Sequence, residues 1–237
     1  MFGLDDRIAA LGTGESLLIV LAVAVLLGLR HATDPDHLTA VSTLLAGGDG
    51  EEGTGARRAG RLGLVWGAGH ATTLFLFGSP IVLFDSYLPE PVQSAAEVAV
   101  GVVIIALAIR LLGRWRRGAL SPVHSHPHGP GGAPLRTRSP LQAYGIGLVH
   151  GIGGSAGVGL LLLAAIPDDV EGVLALAVFA GFTAVSMALA STSFGWVLQR
   201  GAIRRVYSAI APAIGAASLA FGVWYALGAV RAVPYVF

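Results

Sequence analysis

Two imidazoles and two carboxylates lie within seven consecutive residues, inside an apolar stretch that is long enough to cross a membrane. The segment reads His31-Ala32-Thr33-Asp34-Pro35-Asp36-His37. Ionisable side chains at that depth cost about 3 kcal/mol each on insertion scales, so they usually face a partner, a water-filled cavity or an ion. Imidazole and carboxylate are also metal ligands. The segment therefore predicts a cation site inside the membrane.

The composition is that of a membrane protein. Of the 237 residues, 54% are hydrophobic and 12% are charged, and the mean hydropathy is +0.72. A soluble domain this apolar would precipitate. The chain has no cysteine, which excludes disulfides, thiolate metal sites and thiol redox chemistry. Histidine, the acidic residues and backbone carbonyls remain as ligands.

The apolar stretches predict an all-α polytopic membrane protein with six transmembrane helices. The first stretch is not a cleavable signal peptide, because its leader carries Asp5 and Asp6 and no small-residue cleavage site follows it. The predicted helices cover residues of about 15–45, 61–84, 91–113, 140–166, 170–198 and 207–230.

The charges of the loops predict an orientation. Arginines follow the first, third and fifth helices, none follows the second, and the loop after the fourth is acidic. The positive-inside rule then places both termini outside the cell membrane. The loop of residues 114–139 lies on the cytoplasmic side and contains His124, His126 and His128. These three histidines are either a loose metal buffer or incidental residues of a polar linker.

The central loop separates two halves that resemble each other. Gly28-Leu29-Arg30-His31 in the first helix is echoed by Gly147-Leu148-Val149-His150 in the fourth, and Gly67-Ala68-Gly69-His70-Ala71-Thr72 by Phe179-Ala180-Gly181-Phe182-Thr183-Ala184. Three helices per half is an odd number, so the second half must insert upside down. We therefore expect two inverted three-helix repeats, at 1–113 and 140–237, with a site between them.

Helix geometry predicts which side chains converge as metal ligands, three from the first helix and others, His70 and His150, from the second and fourth. At 1.5 Å per residue, His37, His70 and His150 each lie roughly 14–15 Å from the cytoplasmic ends of their helices, near the centre of a core about 30 Å thick. On an ideal helix His31, Asp34 and His37 share an arc of about 120°, and Asp36 points elsewhere unless a kink turns it back. Pro35 should provide that kink and free the carbonyl of His31.

The ligand types limit the ion. Imidazole suits nickel, cobalt, zinc and copper, whereas magnesium and calcium prefer oxygen ligands, so a mixed site indicates a divalent first-row metal. Two carboxylates would offset its charge where water is scarce. In a purely structural alternative, Arg30 pairs with Asp34 and the histidines are only hydrogen-bonded. Neutral imidazole is the ligand form, so we expect binding to weaken below about pH 6.

Two motifs resemble those of the nickel/cobalt transporter family. Arg30-His31-Ala32-Thr33-Asp34-Pro35-Asp36-His37-Leu38 is similar to that family's His-x4-Asp-His signature preceded by Arg, and Gly69-His70-Ala71-Thr72-Thr73 to its Gly-His-Ser-Thr motif. The resemblance implies a permease for Ni2+ or Co2+. It also implies metal binding by His31, Asp34, Asp36 and His37, with His70 as a further candidate.

The chain departs from the longer members of that family in two respects. It has six predicted spans where they have eight, and its fourth helix reads Val149-His150-Gly151-Ile152-Gly153-Gly154-Ser155 where they carry an acidic motif. That pattern resembles the short, urease-accessory-type branch of the same superfamily.

These observations predict a Ni2+ or Co2+ uptake permease that works by alternating access and is not an enzyme. The metal is its transported substrate, and we expect no cofactor. The bilayer and the metal ion are the expected partners, nucleic acid is not, and a homo-oligomer or a metal-delivery partner is compatible with the sequence. Two alternatives stay open: an exporter of the same superfamily, and an intramembrane zinc hydrolase in which Asp36 serves as base.

Overall fold

In the computed structural model, the described part of the chain comprises residues 17–46, 55–84, 89–117, 139–152 and 165–234. Within these ranges all regular structure is α-helical. The helices are α1 Leu17–His31, α2 Pro35–Ala46, α3 Gly55–Phe84, α4 Glu90–Arg116, α5 Pro140–Ile152, α6 Asp169–Gln199 and α7 Gly201–Ala229.

Four of the described helices are long and apolar enough to cross a membrane: α3, α4, the Asp169–Leu198 part of α6 and the Ala209–Ala229 part of α7. Helix α1 and the Pro35–Ser42 part of α2 meet the same criteria as a pair bent by 47°, which makes up to five spans. The predicted stretch at 140–166 is described only as far as Ile152, and residues 153–164 lie outside the described residues. The described chain is thus consistent with an all-helical polytopic membrane protein.

The kink predicted at Pro35 is confirmed, since α1 ends at His31 and Pro35 is the first residue of α2. The prediction that the His31 carbonyl is freed is wrong, because the N–H of Asp34 donates to it at 3.1 Å. After His31 the backbone forms tighter, 3₁₀-like turns. Because Pro35 has no N–H, the preceding residue, Asp34, donates to the His31 carbonyl instead. The N–H of Thr33 likewise turns back to the Arg30 carbonyl at 2.8 Å. It is the carbonyl of Leu29 that loses its usual helical donor.

Small residues let the helices approach closely, as is common in membranes. Helices α3 and α6 pack along much of their length, and Gly63 and Gly67 of α3 lie directly against α6. Helix α1 packs on α6 at Gly28, α5 packs on α3 at Gly147, and α4 packs on α7. Large apolar side chains on the outer faces of the bundle are exposed, as a lipid-facing surface requires.

In two hydrogen bonds a side-chain hydroxyl of one helix donates to a backbone carbonyl of another, and we call these two the hydroxyl bridges. The Thr73 hydroxyl on α3 donates to the carbonyl of Leu148 on α5 at 3.0 Å. The Ser186 hydroxyl on α6 donates to the carbonyl of Leu29 on α1 at 2.7 Å. Interhelical bonds of this kind fix a crossing point where water is absent.

Candidate metal centre

All six residues predicted as metal ligands are buried, and they come from four helices and the turn between α1 and α2. Their exposed fractions run from 0% for His70 to 5% for Asp34. His31 ends α1, Asp34 lies in the turn, Asp36 and His37 lie in the first turn of α2, and His70 and His150 come from α3 and α5. Buried ionisable groups in a membrane protein mark functional sites.

The break at Pro35 gives Asp36 its place in the cluster. On one continuous helix Asp36 would point away from His31 and His37. Because α2 starts anew in a direction bent by 47° from α1, the Asp36 carboxylate contacts two imidazoles. Its Oδ1 lies 3.2 Å from His37 Nδ1, and its Oδ2 lies 3.2 Å from His150 Nε2.

The ligand atoms form two groups that share one residue. The first group consists of His31, His37 and His70, and the second of Asp36, His37 and His150. Within each group the ligand atoms all lie within 4.8 Å of one another. Nitrogens that bind one ion at about 2.0–2.1 Å lie roughly 3 Å apart, and the Nε2 atoms of His31 and His70 lie 3.0 Å apart. The groups therefore have dimensions close to those of a metal coordination sphere.

The carboxylates orient two of the imidazoles. Asp34 Oδ2 lies 3.2 Å from His31 Nδ1, and Asp36 Oδ1 lies 3.2 Å from His37 Nδ1. A carboxylate on one ring nitrogen fixes the tautomer and leaves the other nitrogen as the ligand. Consistent with this, His37 Nε2 is buried and has no hydrogen-bond partner among the described residues. His31 Nε2 faces His70.

Asp34 lies outside both three-residue groups. Its Oδ1 is 3.4 Å from the guanidinium of Arg30, a side chain that is 69% exposed, and its Oδ2 faces His31. The ion pair of the structural alternative is therefore present. The pair joins Arg30 to Asp34, and Asp34 also contacts His31. This does not explain why three further histidines are gathered at the same place. Asp34 is placed to support His31, and metal binding by Asp34 stays a prediction.

The charge of the cluster favours a cation. Two carboxylates lie in the cluster, Asp34, which also pairs with Arg30, and Asp36. A dication placed between the imidazoles would be partly neutralised by Asp36, which matters most in a low-dielectric interior.

Two aromatic residues that the sequence analysis did not single out form walls of the cluster. The Trp66 ring centroid lies 5.6 Å from that of His150 and 5.9 Å from that of His37. The Phe179 ring lies 5.6 Å from His31. Trp66 precedes His70 by four residues on α3, so helical spacing could have placed it on the same face. Phe179 lies on α6, far away in sequence, and no local pattern pointed to it.

His124, His126 and His128 lie outside the described residues, as does the segment Gly153–Gly157. The described centre therefore draws on α1, α2, α3 and α5 alone.

Replacing Asp34 by asparagine should weaken metal binding without abolishing it. Asparagine keeps the acceptor for His31 Nδ1–H but removes the charge, and loss of such a supporting carboxylate typically costs about 10- to 100-fold in affinity. Titration calorimetry of the purified protein with Ni2+ measures this. The matched Asp36→Asn variant removes the carboxylate that belongs to a ligand group and should lose more. Equal losses in the two variants would show that Asp34 is itself a ligand.

Comparisons with known proteins give one informative similarity. No family model matches the chain, and no solved structure matches it. The chain is 29% identical over 219 residues to the urease accessory protein UreH of Bacillus sp. (strain TB-90), an alignment that covers 88% of this chain and 91% of that protein. The chain is thus similar, over most of its length, to a protein named for an accessory role to urease.

Proposed function

We propose that this chain is a plasma-membrane permease that takes up Ni2+ or Co2+ by alternating access between two inverted halves. The observation that carries the proposal is the buried cluster of four histidines and two aspartates, drawn from four helices and one turn of a membrane protein. Removing water from that many polar groups is costly, and a dication bound between them would offset that cost.

The ligand set favours a borderline transition metal as cargo. Mixed nitrogen and oxygen ligands suit Ni2+, Co2+ and Zn2+, and the groups contain too few oxygens for Mg2+ or Ca2+. The name of the Bacillus relative attaches it to urease, and we extend a urease-related role to this chain. The resemblance of its two histidine motifs to the nickel/cobalt transporter family indicates that the metal in that role is nickel or cobalt.

The hydroxyl bridges support the inverted repeat. Leu29 and Leu148 occupy equivalent positions in the Gly-Leu-x-His echo, 119 residues apart. Each of their carbonyls accepts a bond from a hydroxyl on a helix of the other half, from Ser186 and Thr73 respectively. Two halves related by a two-fold axis would produce just such a reciprocal pair.

Helix packing repeats in the same way. A two-fold axis that exchanges the halves turns the contact of α1 with α6 into that of α5 with α3, and it maps the contacts α3 with α6 and α4 with α7 onto themselves. These four pairs have the most extensive contacts in the described fold. Gly28 lies against the Phe179 carbonyl, and Gly147, its equivalent, lies against the Trp66 carbonyl. The six-span architecture follows if α5 continues through 153–166 as the sequence predicts.

Alternating access follows from this arrangement. The cluster combines residues of the first half with His150 of the second, so a rocking movement between halves changes the cluster itself. An ion entering from outside would exchange part of its hydration shell for imidazole and Asp36, and would leave when the halves rock. Both termini are placed outside in this scheme, in line with the arginine-rich loops.

Uptake into liposomes tests the proposal. Purified protein reconstituted with an inward metal gradient should accumulate radiolabelled nickel or cobalt above the level of protein-free liposomes, and far less labelled calcium. An exporter would instead release label from preloaded liposomes in which the cytoplasmic face of the protein points to the lumen. Failure of every gradient to move any transition metal would overturn the proposal, and hydrolysis of a substrate without metal flux would replace it by the enzyme alternative.

Acid should weaken metal binding. Imidazole binds a metal only after losing its proton, and histidine ordinarily takes up a proton near pH 6.5, so protons compete more strongly as the pH falls. We expect the affinity for Ni2+ to drop more than about tenfold between pH 7 and pH 5. Calorimetric titrations at several pH values measure this. An affinity that stays constant over the range would contradict imidazole ligation.

Removal of both hydroxyl bridges should slow transport while leaving metal binding intact. Each bond is worth about 1 kcal/mol, so the Thr73→Val, Ser186→Ala double variant should shift the balance between conformations by roughly 30-fold. We expect slower uptake in liposomes and an affinity for Ni2+ within about threefold of the parent.

A matched control is Ser79→Ala, since the Ser79 hydroxyl donates to the Phe75 carbonyl within its own helix at 2.6 Å. It should transport like the parent. If the double variant also transports at the parental rate, the bridges do not couple the halves.

A further inference from the structure

The ring of His37 is equally close to the rings of two other histidines of the cluster, His31 and His150. Its ring centroid is 4.5 Å from that of His31 and 4.6 Å from that of His150. It is also the one residue common to the two ligand groups. A single compact site would not require the ligands to divide in this way.

Those two histidines are equivalent in the proposed repeat. His31 and His150 close the matching segments Gly28–His31 and Gly147–His150. In an inverted repeat the axis lies in the membrane plane, so equivalent residues lie on opposite sides of the midplane. In the proposed repeat, His31 then lies on one side of the midplane and His150 on the other, with His37 between them.

We propose that the cluster contains two ion positions in series, which share His37. The first is formed by His31, His37 and His70, and the second by Asp36, His37 and His150. This inference rests on the proposed transport function, and it specifies how the ion crosses the midplane. The ion keeps His37 while it exchanges the other two ligands.

The ligand chemistry of the two positions differs. The first offers three imidazoles, and the carboxylate beside its His31, Asp34, is paired with Arg30 at 3.4 Å. The second includes the Asp36 carboxylate, which lies 3.2 Å from His150 Nε2. An ion in the second position therefore gains direct charge neutralisation that the first position lacks.

The two positions should be occupied one at a time. Two dications repel each other four times as strongly as two unit charges at the same distance, and the interior screens them weakly. Conduction through successive sites also requires that each bind weakly enough to release the ion. Because the two positions share His37, the ion keeps one ligand as it passes between them. It therefore leaves each position without having to regain its full hydration shell.

Cobalt spectroscopy on the full-length purified protein tests this. The variants are His70→Gln, which affects only the first position, His150→Gln, which affects only the second, and His37→Ala, which affects both. Thr183→Val is the control, since Thr183 is fully buried but its hydroxyl donates to the Phe179 carbonyl of its own helix.

We expect the parent and Thr183→Val to bind one Co2+ each. His70→Gln should still bind one Co2+ with an affinity close to that of the parent, because it leaves the second position whole. His150→Gln should still bind one Co2+, about 10- to 100-fold more weakly, with a visible absorption spectrum that differs from that of His70→Gln. His37→Ala should bind none. Transport in liposomes should be lost in all three histidine variants, although two of them retain the ion.

Loss of binding in His70→Gln and His150→Gln as complete as in His37→Ala would show one shared coordination sphere and overturn the inference. Should a variant fail to fold, anomalous scattering from cobalt-loaded parent protein decides the matter: two partly occupied peaks on either side of His37 support the proposal, and one peak overturns it. Either result leaves the transport function standing, which fails only if the parent neither binds nor moves the metal.

Discussion

Replacement of His37 by alanine should abolish metal binding and metal uptake together. His37 is 1% exposed and belongs to both groups of candidate ligands, so its loss leaves two ligands in each. We expect the affinity for Ni2+ to fall by more than about 100-fold, a larger loss than removal of a supporting carboxylate causes. Calorimetry on purified protein and uptake into liposomes measure the two effects on the same preparation.

The control for this variant is His126→Ala, which removes a histidine from the predicted cytoplasmic loop. It should bind and transport nickel like the parent. Retention of parental affinity by His37→Ala would contradict the assignment of the cluster as the metal centre. Loss of helical circular dichroism in that variant would call for His37→Gln in its place, with the same expected result.

Substitution of Gly147 by alanine should disrupt the site without touching a ligand. A Cβ at position 147 would lie against the carbonyl oxygen of Trp66, well inside contact distance, and 2.9 Å from the backbone nitrogen of His70. Backbone atoms cannot rotate away, so α3 and α5 must separate, and His70 and His150 move apart with them. Overpacking of this kind costs about 1–3 kcal/mol or more, and we expect lower thermal stability together with loss of nickel binding.

Gly145→Ala is a matched control two residues away on the same helix. A Cβ at Gly145 meets nothing within 4 Å, and alanine favours a helix over glycine by about 1 kcal/mol. This variant should be as stable as the parent or more so, and it should bind nickel normally. If both variants behave alike, the close crossing of α3 and α5 does not position the ligands.

The gathering of buried histidines and aspartates at one place could be predicted from sequence, because ionisable side chains inside a membrane usually face a partner, a cavity or an ion. The kink at Pro35 was also predictable, since proline cannot continue the hydrogen bonding of a helix. That Asp36 contacts His150 was not, because this depends on how far the helix bends at Pro35. Only the bend of 47° between α1 and α2 brings it to His150.

The register of the proposed repeat shows a second limit of prediction from sequence. The echo of small residues aligns His70 with Phe182, whereas the hydroxyl bridges pair Thr73 with Ser186 and so place Thr183 opposite His70. The difference is one residue. A similarity between Ala and Gly residues fixes an alignment poorly. The helix crossings at Gly28 and Gly147 fix it better, because a backbone carbonyl of the neighbouring helix lies against each glycine.

Asp34 shows how the fold adds to what a motif predicts. Its place in the His-x4-Asp-His segment predicted metal binding, and spacing on a helix put it on the face of His31 and His37. In the folded chain it lies between Arg30 and His31, since the turn before Pro35 directs it to the end of α1. A carboxylate in that position orients an imidazole.

The central claim is that buried imidazoles from α1, α2, α3 and α5 hold the transported metal. X-ray absorption at the nickel edge of the purified, nickel-loaded protein tests this most directly, because imidazole gives a characteristic scattering pattern beyond the first shell. We predict bound nickel with imidazole nitrogens and carboxylate oxygen around it, and loss of that signal in His37→Ala. Nickel surrounded by water oxygens alone, or an unchanged signal in the variant, would contradict the account.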